Sequence, residues 1–282
     1  MDEDLSGTLA FLKQSGFDMV EVPISDTDLS KWERIGAQLD ALGLERAACS
    51  ICGPEYSLIS PDETVRRAAV DHLKAVIDCT KAMGATLLTG PYHSGFKTFA
   101  GRPATEQEWN WSVEGMREVA EHAAEQGVML GIEYLNRFET YLLTCTDDLI
   151  RYVEAVNHPN CRLMFDTFHA NIEEKNLGEA VRQSAPYLVH VQISENDRST
   201  PGQGNVDFDG VFSALREINF QGAIVIEAFG LTPKDLAAAA NIVRPMFESP
   251  EQLARDGLAF MRAQLAHSAT QPALSVETTL NP

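Results

Sequence analysis

The stretch EHAAEQGVMLGIEY, residues 121–134, joins two secondary-structure patterns. Its first half closes a helical pattern at about 105–126, and Gly127 follows where helices commonly end in a left-handed residue. A near-continuous apolar run then predicts a buried parallel strand with Glu133 near its end. The same helix–glycine–strand succession recurs at Gly16, Gly84 and Gly222. This repetition indicates an α/β protein with a parallel sheet.

Strand-like runs alternate with helical patterns along the whole chain. The predicted strands are Asp18–Pro23, Arg46–Ile51, Thr86–Gly90, Val128–Tyr134, Cys161–Asp166, Leu188–Ile193 and Ala223–Ala228. The predicted helices are Leu5–Gln14 and about 29–43, 62–83, 105–126, 146–157, 173–184, 209–219 and 249–266. This alternation predicts a (β/α)8 TIM barrel, a fold that typically takes about 250 residues. The rival doubly wound sheet is disfavoured because no GxGxxG motif follows the first strand.

The beginning and the end of the pattern differ from a complete barrel. The pattern opens on the helix Leu5–Gln14, where a (β/α)8 barrel should open on a strand, so the expected barrel lacks its first strand. No linker rich in Pro, Gly or Ser divides the chain, and we predict a single domain over 1–266. Residues 267–282 have no apolar periodicity and are predicted to be a flexible C-terminal tail.

Charge and composition narrow the classes of function. The 282 residues include 22 Lys+Arg and 41 Asp+Glu, a net charge of −19, which disfavours nucleic acid and anionic membranes as partners. No apolar run approaches the ~18 residues of a membrane span, and the N-terminal residues lack a signal-peptide pattern. Five cysteines, an odd number without dense spacing, favour a reducing cytoplasm over a disulfide framework.

Polar groups stand at the ends of four successive predicted strands, where barrels of this type place their active sites. They are Glu133, Asp166, Gln192 with His190, and Glu227. Three carboxylates in one place repel each other unless a cation neutralises them, so the sequence predicts a divalent metal site. Because His190 and Gln192 point to the same side of their strand, His190 is the rival ligand on it.

Four segments resemble motifs of the ketose 3-epimerases, the D-tagatose and D-allulose 3-epimerase-like proteins of the xylose isomerase-like TIM barrel superfamily. They are EYLNRFE at 133–139, DTFHANIEE at 166–174, SENDR at 194–198 with PGQG at 201–204, and IEAF at 226–229. The resemblance runs from about Phe11 to Phe260, and its first two motifs are long and specific. It implies a TIM barrel that acts on a sugar and assembles as a homodimer or homotetramer.

Carried over residue by residue, the resemblance implies a set of site residues. The implied metal ligands are Glu133, Asp166, Gln192 and Glu227, with Mn²⁺ as the expected ion and Co²⁺ or Mg²⁺ as alternatives. The implied substrate-binding residues are Glu139, His169 and Arg198. Glu133 and Glu227 would also be the catalytic acid/base pair, and Glu139 would hold Arg198 in place.

One position departs from the family pattern. The epimerases usually have the second histidine of an H-x-H where this chain has Gln192, and in this respect it is similar to hydroxypyruvate isomerase-like proteins. The first hypothesis is a metal-dependent epimerase that inverts carbon 3 of a free ketose through a cis-enediolate. The alternatives are an aldose–ketose isomerase or a keto-sugar or inosose dehydratase with the same metal site. A binding module without catalysis is disfavoured by the retained Glu133 and Glu227. Glu21, at the end of the first strand, is either a contact of the site or a structural charge.

Overall fold

The computed structural model describes residues 5–267, and all seven predicted strands are present in it. The strands are β1 (Met19–Pro23), β2 (Glu45–Cys49), β3 (Leu87–Gly90), β4 (Met129–Ile132), β5 (Cys161–Asp166), β6 (Leu188–Ile193) and β7 (Ala223–Ile226). Several are shorter than predicted, and β4 and β7 each end one residue before a glutamate, Glu133 and Glu227 respectively.

The helices alternate with the strands. They are α1 (Ser6–Ser15), α2 (Leu29–Leu42), α3 (Glu63–Ala82), α4 (Glu106–Gln126), α5 (Thr146–Val156), α6 (Thr167–Glu173), α7 (Leu177–Ser184), α8 (Phe208–Glu217), α9 (Lys234–Ala239) and α10 (Pro250–His267). The short helices α6 and α9 were not predicted, and the helix expected over 173–184 begins only at Leu177, which Asn176 caps. A helix of six or seven residues makes barely two turns, too few for a 3.6-residue period to show.

The ends of the described chain limit two of the predictions. Helix α10 continues through His267, one residue into the predicted tail, and the remaining tail residues, 268–282, lie outside the described part of the chain. The single-domain organisation stays a prediction. In residues 5–267, none of the helices is both long enough and apolar enough to cross a membrane.

The seven strands form one parallel sheet in the sequential order β1 to β7. The sheet curls into a nearly closed barrel, which confirms the predicted fold. Within residues 5–267 no strand precedes α1, and β1 and β7 lie near each other without a backbone ladder between them. This agrees with the expectation of a missing first strand.

The alternation of side chains along each strand separates the polar interior of the barrel from its apolar outer layer. Thr89 and His190 point inward, where both approach Glu21 of β1. Their neighbours Leu88 and Val191 are fully buried and belong to the hydrophobic core shared with the helices. The strand sequences are largely apolar, and the buried polar side chains among them include Thr89 and His190 at inward positions.

A cavity of about 1060 Å³ opens along the gap between β1 and β7. Its wall includes apolar residues of α1 and α10, among them Leu12 and Met261. At its other end the cavity reaches Glu133, Gln192 and Glu227. The C-terminal ends of the strands therefore face one continuous space.

Gly90, the last residue of β3, supports this end of the barrel with a conformation that only glycine adopts easily. Its φ is +130°, and its carbonyl oxygen accepts a hydrogen bond from the backbone N–H of Glu133 at 3.0 Å. A Cβ atom here would overlap the carbonyl oxygen of Ser50. The positive φ and the close approach of the Ser50 carbonyl therefore both require glycine at this position.

Gly90→Ala is expected to lower the free energy of unfolding by about 3 kcal/mol, because strain and overlap combine. The matched control is Gly127→Ala, where φ is +70° but no atom lies within 4 Å of the added Cβ. That control should lose only about 1–2 kcal/mol. Urea unfolding measures both, and equal losses in the two variants would contradict the overlap at Gly90.

Candidate active site

The strand ends bring the predicted polar residues to one end of the barrel. Asp166 lies opposite Gln192 in the β5–β6 ladder, and the backbone N–H of Glu227 donates to Ile193 of β6 at 3.1 Å. Asp166 and Gln192 are 1% and 3% exposed, so both are out of bulk water. Together with Glu133, the residues that the sequence proposed as ligands therefore lie on four consecutive strands of one wall.

Glu133, Asp166 and His169 could hold a metal ion, because one ligand atom from each lies within 4.8 Å of the others. The His169 Nε2 atom is 3.5 Å from Glu133 Oε1 and 3.5 Å from Asp166 Oδ2. Sequence reasoning placed His169 among the substrate contacts. The geometry puts its imidazole directly beside two of the carboxylates, and Nη2 of Arg198 lies 3.2 Å from the same Nε2 atom.

The hydrogen bonds of His169 define its tautomer. Its Nδ1 atom accepts from the backbone N–H of Asn136 at 3.0 Å. A backbone N–H can only donate, so Nδ1 is unprotonated and the proton of the neutral ring is on Nε2. Burial, with a smaller contribution from the positive charge of Arg198, lowers the pKa of His169 well below its usual value. These contacts favour a neutral imidazole with its proton on Nε2, the nitrogen that faces the carboxylates. In this tautomer the 3.2 Å approach of Arg198 Nη2 to Nε2 is a contact without a hydrogen bond.

Arg198 places a guanidinium among the same carboxylates. Its Nη1 atom is 3.1 Å from Asp166 Oδ2, and it also forms a close ion pair with Glu227. The guanidinium packs over the ring of Phe168, 3.6 Å from the ring centroid. Glu139, which the resemblance pairs with Arg198, lines the cavity but forms no ion pair with it in the described chain.

A buried carboxylate that the sequence analysis did not single out shapes the loop that carries Arg198. Glu195 is 0% exposed, and its oxygens accept from the backbone N–H groups of Asn196, Gly202, Asn205 and Val206. Arg198 itself has a φ of +65° within this loop. The sequence signal for this loop was the motif SENDR followed by PGQG, in which the glutamate is followed by residues that favour turns.

Gln192 and His190, the two candidates on β6, have different surroundings. The Gln192 Nε2 atom donates to Glu21 Oε2 at 2.6 Å, while its Oε1 atom is buried without a hydrogen-bond partner. His190 is fully buried, with Nε2 2.8 Å from the other oxygen of Glu21. The ring nitrogens of His190 are also buried without a hydrogen-bond partner. Among the described residues Gln192 lines the cavity and His190 does not, which favours Gln192 as the residue available to a cation. Glu21 is thus in contact with the site through both residues.

Burial and mutual repulsion govern the carboxylates. Burial raises the pKa of Glu133 well above its usual value, and the charges of Asp166 and Glu227 add to this effect. Burial likewise raises the pKa of Glu227 to about 8, although Arg198 opposes it. The pKa of Asp166 is raised by burial against the same opposing charge. Carboxylates that resist ionisation together are stabilised by a divalent cation, so the donor set fits one.

Glu21 behaves differently. Burial acts to raise its pKa, but the contacts with His190, Thr89 and Gln192 outweigh burial, and the pKa is lowered. Glu21 is therefore ionised at neutral pH.

In a chelator, the protein is expected to become less stable as the pH rises from about 6.5 to 8. The pKa of Glu227 rises from 4.5 to about 8 on folding, so the folded chain binds more protons there and stability falls with pH. His169 and His93 have lowered pKa values and act in the opposite direction, but only below the ordinary value of 6.5. Thermal unfolding measures the slope. Glu227→Gln, which cannot ionise, should reduce the slope, while Glu133, whose pKa is also raised, keeps the same sign. A melting temperature that increases over this range would contradict the assignment.

Comparisons with known proteins identify a family and several relatives of this chain. A family described as xylose isomerase-like TIM barrel matches residues 9–264. A ketose 3-epimerase of Arthrobacter globiformis is 31% identical over 255 residues, which are 90% of this chain and 88% of the relative. The solved structure of an L-ribulose 3-epimerase superposes with a TM-score of 0.92 at 29% identity, covering 100% of this chain and 95% of that one. D-psicose 3-epimerase from Clostridium cellulolyticum H10, solved with D-tagatose, gives 0.87 at 27% identity and 94% of each chain.

Proposed function

Because the chain belongs to the xylose isomerase-like TIM barrel family and is an enzyme with sugar epimerase activity, we propose that it inverts carbon 3 of a free ketose with one divalent metal ion. The observation that carries this proposal is the meeting of Glu133, Asp166 and Glu227 beside the unpartnered oxygen of Gln192. Relatives named for 3-epimerisation of ketoses support the same carbon.

The donor set suits a hard or borderline divalent ion. Glu133, Asp166, Gln192 and Glu227 would hold it, with Mn²⁺ as the expected ion and Co²⁺ or Mg²⁺ as alternatives. Such an ion would supply Lewis-acid stabilisation of the negative charge that develops on the carbonyl oxygen of the sugar. The remaining chemistry belongs to side chains of this protein.

Inversion requires a proton to leave one face of carbon 3 and another to arrive on the opposite face. We assign these two transfers to Glu133 and Glu227, which follow β4 and β7, with two strands between them. One carboxylate takes the proton and leaves a planar cis-enediolate of the sugar, and the other returns a proton from the far side. A raised pKa suits this exchange, because it makes each carboxylate a stronger base toward the carbon-bound proton.

Three further residues would bind the sugar. The Nε2–H of His169 is a suitable donor to the oxygen at carbon 2, because the ring is neutral and its other nitrogen is engaged by Asn136. Arg198 would hold an oxygen at carbon 1 or carbon 2, and Glu139 would contact a hydroxyl group from the cavity wall. In the described chain, Arg198 and Arg262 are the only Lys or Arg residues that line the cavity. Since Arg198 is paired with carboxylates, an unphosphorylated sugar is the better fit.

Incubation in D₂O tests the function directly. The Mn²⁺-loaded protein is given D-psicose, D-tagatose and L-ribulose, and NMR locates the incorporated deuterium. Deuterium at carbon 3 together with the carbon 3 epimer is the expected result. Gln192 keeps the alternatives open: deuterium at carbon 1 alone would indicate an aldose–ketose isomerase, and loss of water a dehydratase. No exchange on any keto-sugar would reject all three.

Two broader expectations accompany this function. The five cysteines are free in the structure, which supports a cytoplasmic location. A homodimer or homotetramer remains an expectation from the family resemblance, and sedimentation analysis of the full chain would determine it.

A further inference from the structure

We propose that Glu21 is a positioning residue that orients the side-chain amide of Gln192 so that its oxygen, rather than its nitrogen, faces the cavity. The inference rests on the proposed function, because that function makes Gln192 a metal ligand. It assigns a role to a residue of β1, on the far side of the gap in the barrel from β7.

The contact itself is short and buried. Glu21 Oε2 accepts from Gln192 Nε2 at 2.6 Å, although 171 residues separate the two along the chain. Gln192 is 3% exposed, and both residues line the cavity. Because Nε2 is the Gln192 atom that lies against this oxygen, the amide presents its NH₂ group to Glu21. The Oε1 atom of Gln192 then points away from Glu21, and it has no hydrogen-bond partner.

Glu21 is in turn held on its other oxygen. Thr89 Oγ1 lies 2.7 Å from Glu21 Oε1, and His190 Nε2 lies 2.8 Å from the same atom. With this oxygen engaged from β3 and β6, Oε2 is left for the Gln192 amide. The buried His190, which competed with Gln192 as a ligand in the sequence, thereby belongs to the support of the carboxylate.

This support matters for glutamine more than for most ligands. The two ends of an amide have nearly the same shape but opposite hydrogen-bonding character. Rotation by half a turn would present an NH₂ group, which cannot bind a cation, in place of the oxygen. A chain that uses glutamine as a ligand therefore needs a group that distinguishes the two ends. Groups that orient a ligand in this way typically change metal affinity by 10–100-fold.

Mn²⁺ titration without any sugar tests the proposal. Binding is followed by the loss of the free Mn²⁺ signal in electron paramagnetic resonance. In Glu21→Gln the amide oxygen would take the place beside Thr89 and leave an NH₂ group facing Gln192, whose amide would then turn its own oxygen toward position 21. This variant is expected to weaken Mn²⁺ binding about 10–100-fold. The matched control is Asp18→Asn, which removes a charge from the cavity wall just before β1 at an exposed residue, and it should change the affinity less than about threefold.

A double variant reverses the pair. In Glu21→Gln with Gln192→Glu, the amide at 21 donates to the carboxylate at 192, whose second oxygen remains for the ion. This variant should recover most of the affinity lost in Glu21→Gln. Thermal unfolding in a chelator verifies that each variant is folded. If Glu21→Gln does not fold, the double variant and the wild type still decide the question.

The wild type offers a measurement that needs no metal. The side-chain NH₂ of Gln192, assigned by its disappearance in Gln192→Glu, should exchange with water at least about tenfold more slowly than exposed glutamine amides. Exchange as fast as that of exposed amides would overturn the inference. So would equal losses of affinity in Glu21→Gln and Asp18→Asn, which would indicate an effect of charge alone. A wild type that binds no Mn²⁺ would instead overturn the metal dependence of the proposed function.

Discussion

Replacement of Glu133 or Glu227 by glutamine is expected to slow epimerisation by at least about 10³-fold, within the range for general acid–base catalysis. Glutamine keeps the size of the side chain and an oxygen that can reach a cation, but it cannot take or return a proton. Burial raises the pKa of both glutamates, that of Glu227 to about 8, which strengthens each carboxylate as a base, and the substitution removes the proton transfer itself. Initial rates with each of the two epimers measure the effect.

The two variants should also differ from each other. If the glutamates act on opposite faces, each variant retains the base for one epimer and can exchange that epimer's carbon 3 proton with D₂O without inverting it. Glu133→Gln and Glu227→Gln should therefore exchange different epimers. Glu33→Gln, a substitution on the exposed surface of α2, is the control and should keep the full rate. Retained inversion in either site variant, with Mn²⁺ binding intact, would refute the acid/base assignment.

Removal of divalent metal is expected to lower the epimerisation rate by at least about 100-fold, because Lewis-acid stabilisation is worth several kcal/mol and 1.36 kcal/mol corresponds to a factor of ten. Addition of Mn²⁺ should restore the rate and raise the melting temperature, since an ion that binds only the folded chain stabilises it. Asp166→Asn serves as the comparison. Asp166 is 1% exposed among the carboxylates, so this variant should need far more Mn²⁺ for the same recovery.

Two results of these metal titrations would contradict the expectations. A chelated protein that keeps its full rate would exclude metal dependence, even if the carbon 3 chemistry is correct. Recovery of Asp166→Asn at the same Mn²⁺ concentration as the wild type would exclude Asp166 as a ligand. The two predictions can therefore be contradicted independently. The glutamate variants test the proton transfer, and the removal of metal tests the role of the ion.

Much of the architecture could be predicted because it depends on short-range patterns. The apolar run before Glu133 and the one that ends in Asp166 are recognisable as strands, and strand ends in a barrel share one face. The position of these acids followed from the strands alone. Helix α6 escaped prediction because it begins immediately at Asp166, which is both the last residue of β5 and its N-cap.

The partners within the site could not be predicted in the same way. Arg198 reaches Asp166 and Glu227 from a loop whose path depends on the four backbone hydrogen bonds of Glu195, and no periodicity encodes such a loop. The contact between Glu21 and Gln192 crosses the barrel between side chains far apart in sequence. Sequence reasoning could only leave Glu21 open between a structural charge and a contact of the site, because that choice depends on which side chains meet.

The gap between β1 and β7 joins the mechanics of the fold to the site. Along the rest of the described wall, neighbouring strands are joined by backbone hydrogen bonds. Across this gap the contacts are made by side chains and helices. One example is the hydrogen bond from Arg262 of α10 to the carbonyl of Gly16, the residue after α1. Backbone ladders resist separation cooperatively, whereas isolated contacts open one at a time. Glu21 lies in β1 on one side of this gap, and Glu227 follows β7 on the other side. Separation of the barrel along this line would move the support of Gln192 away from a proposed catalytic carboxylate. The one place in the described wall without a backbone ladder is therefore also a boundary of the candidate site.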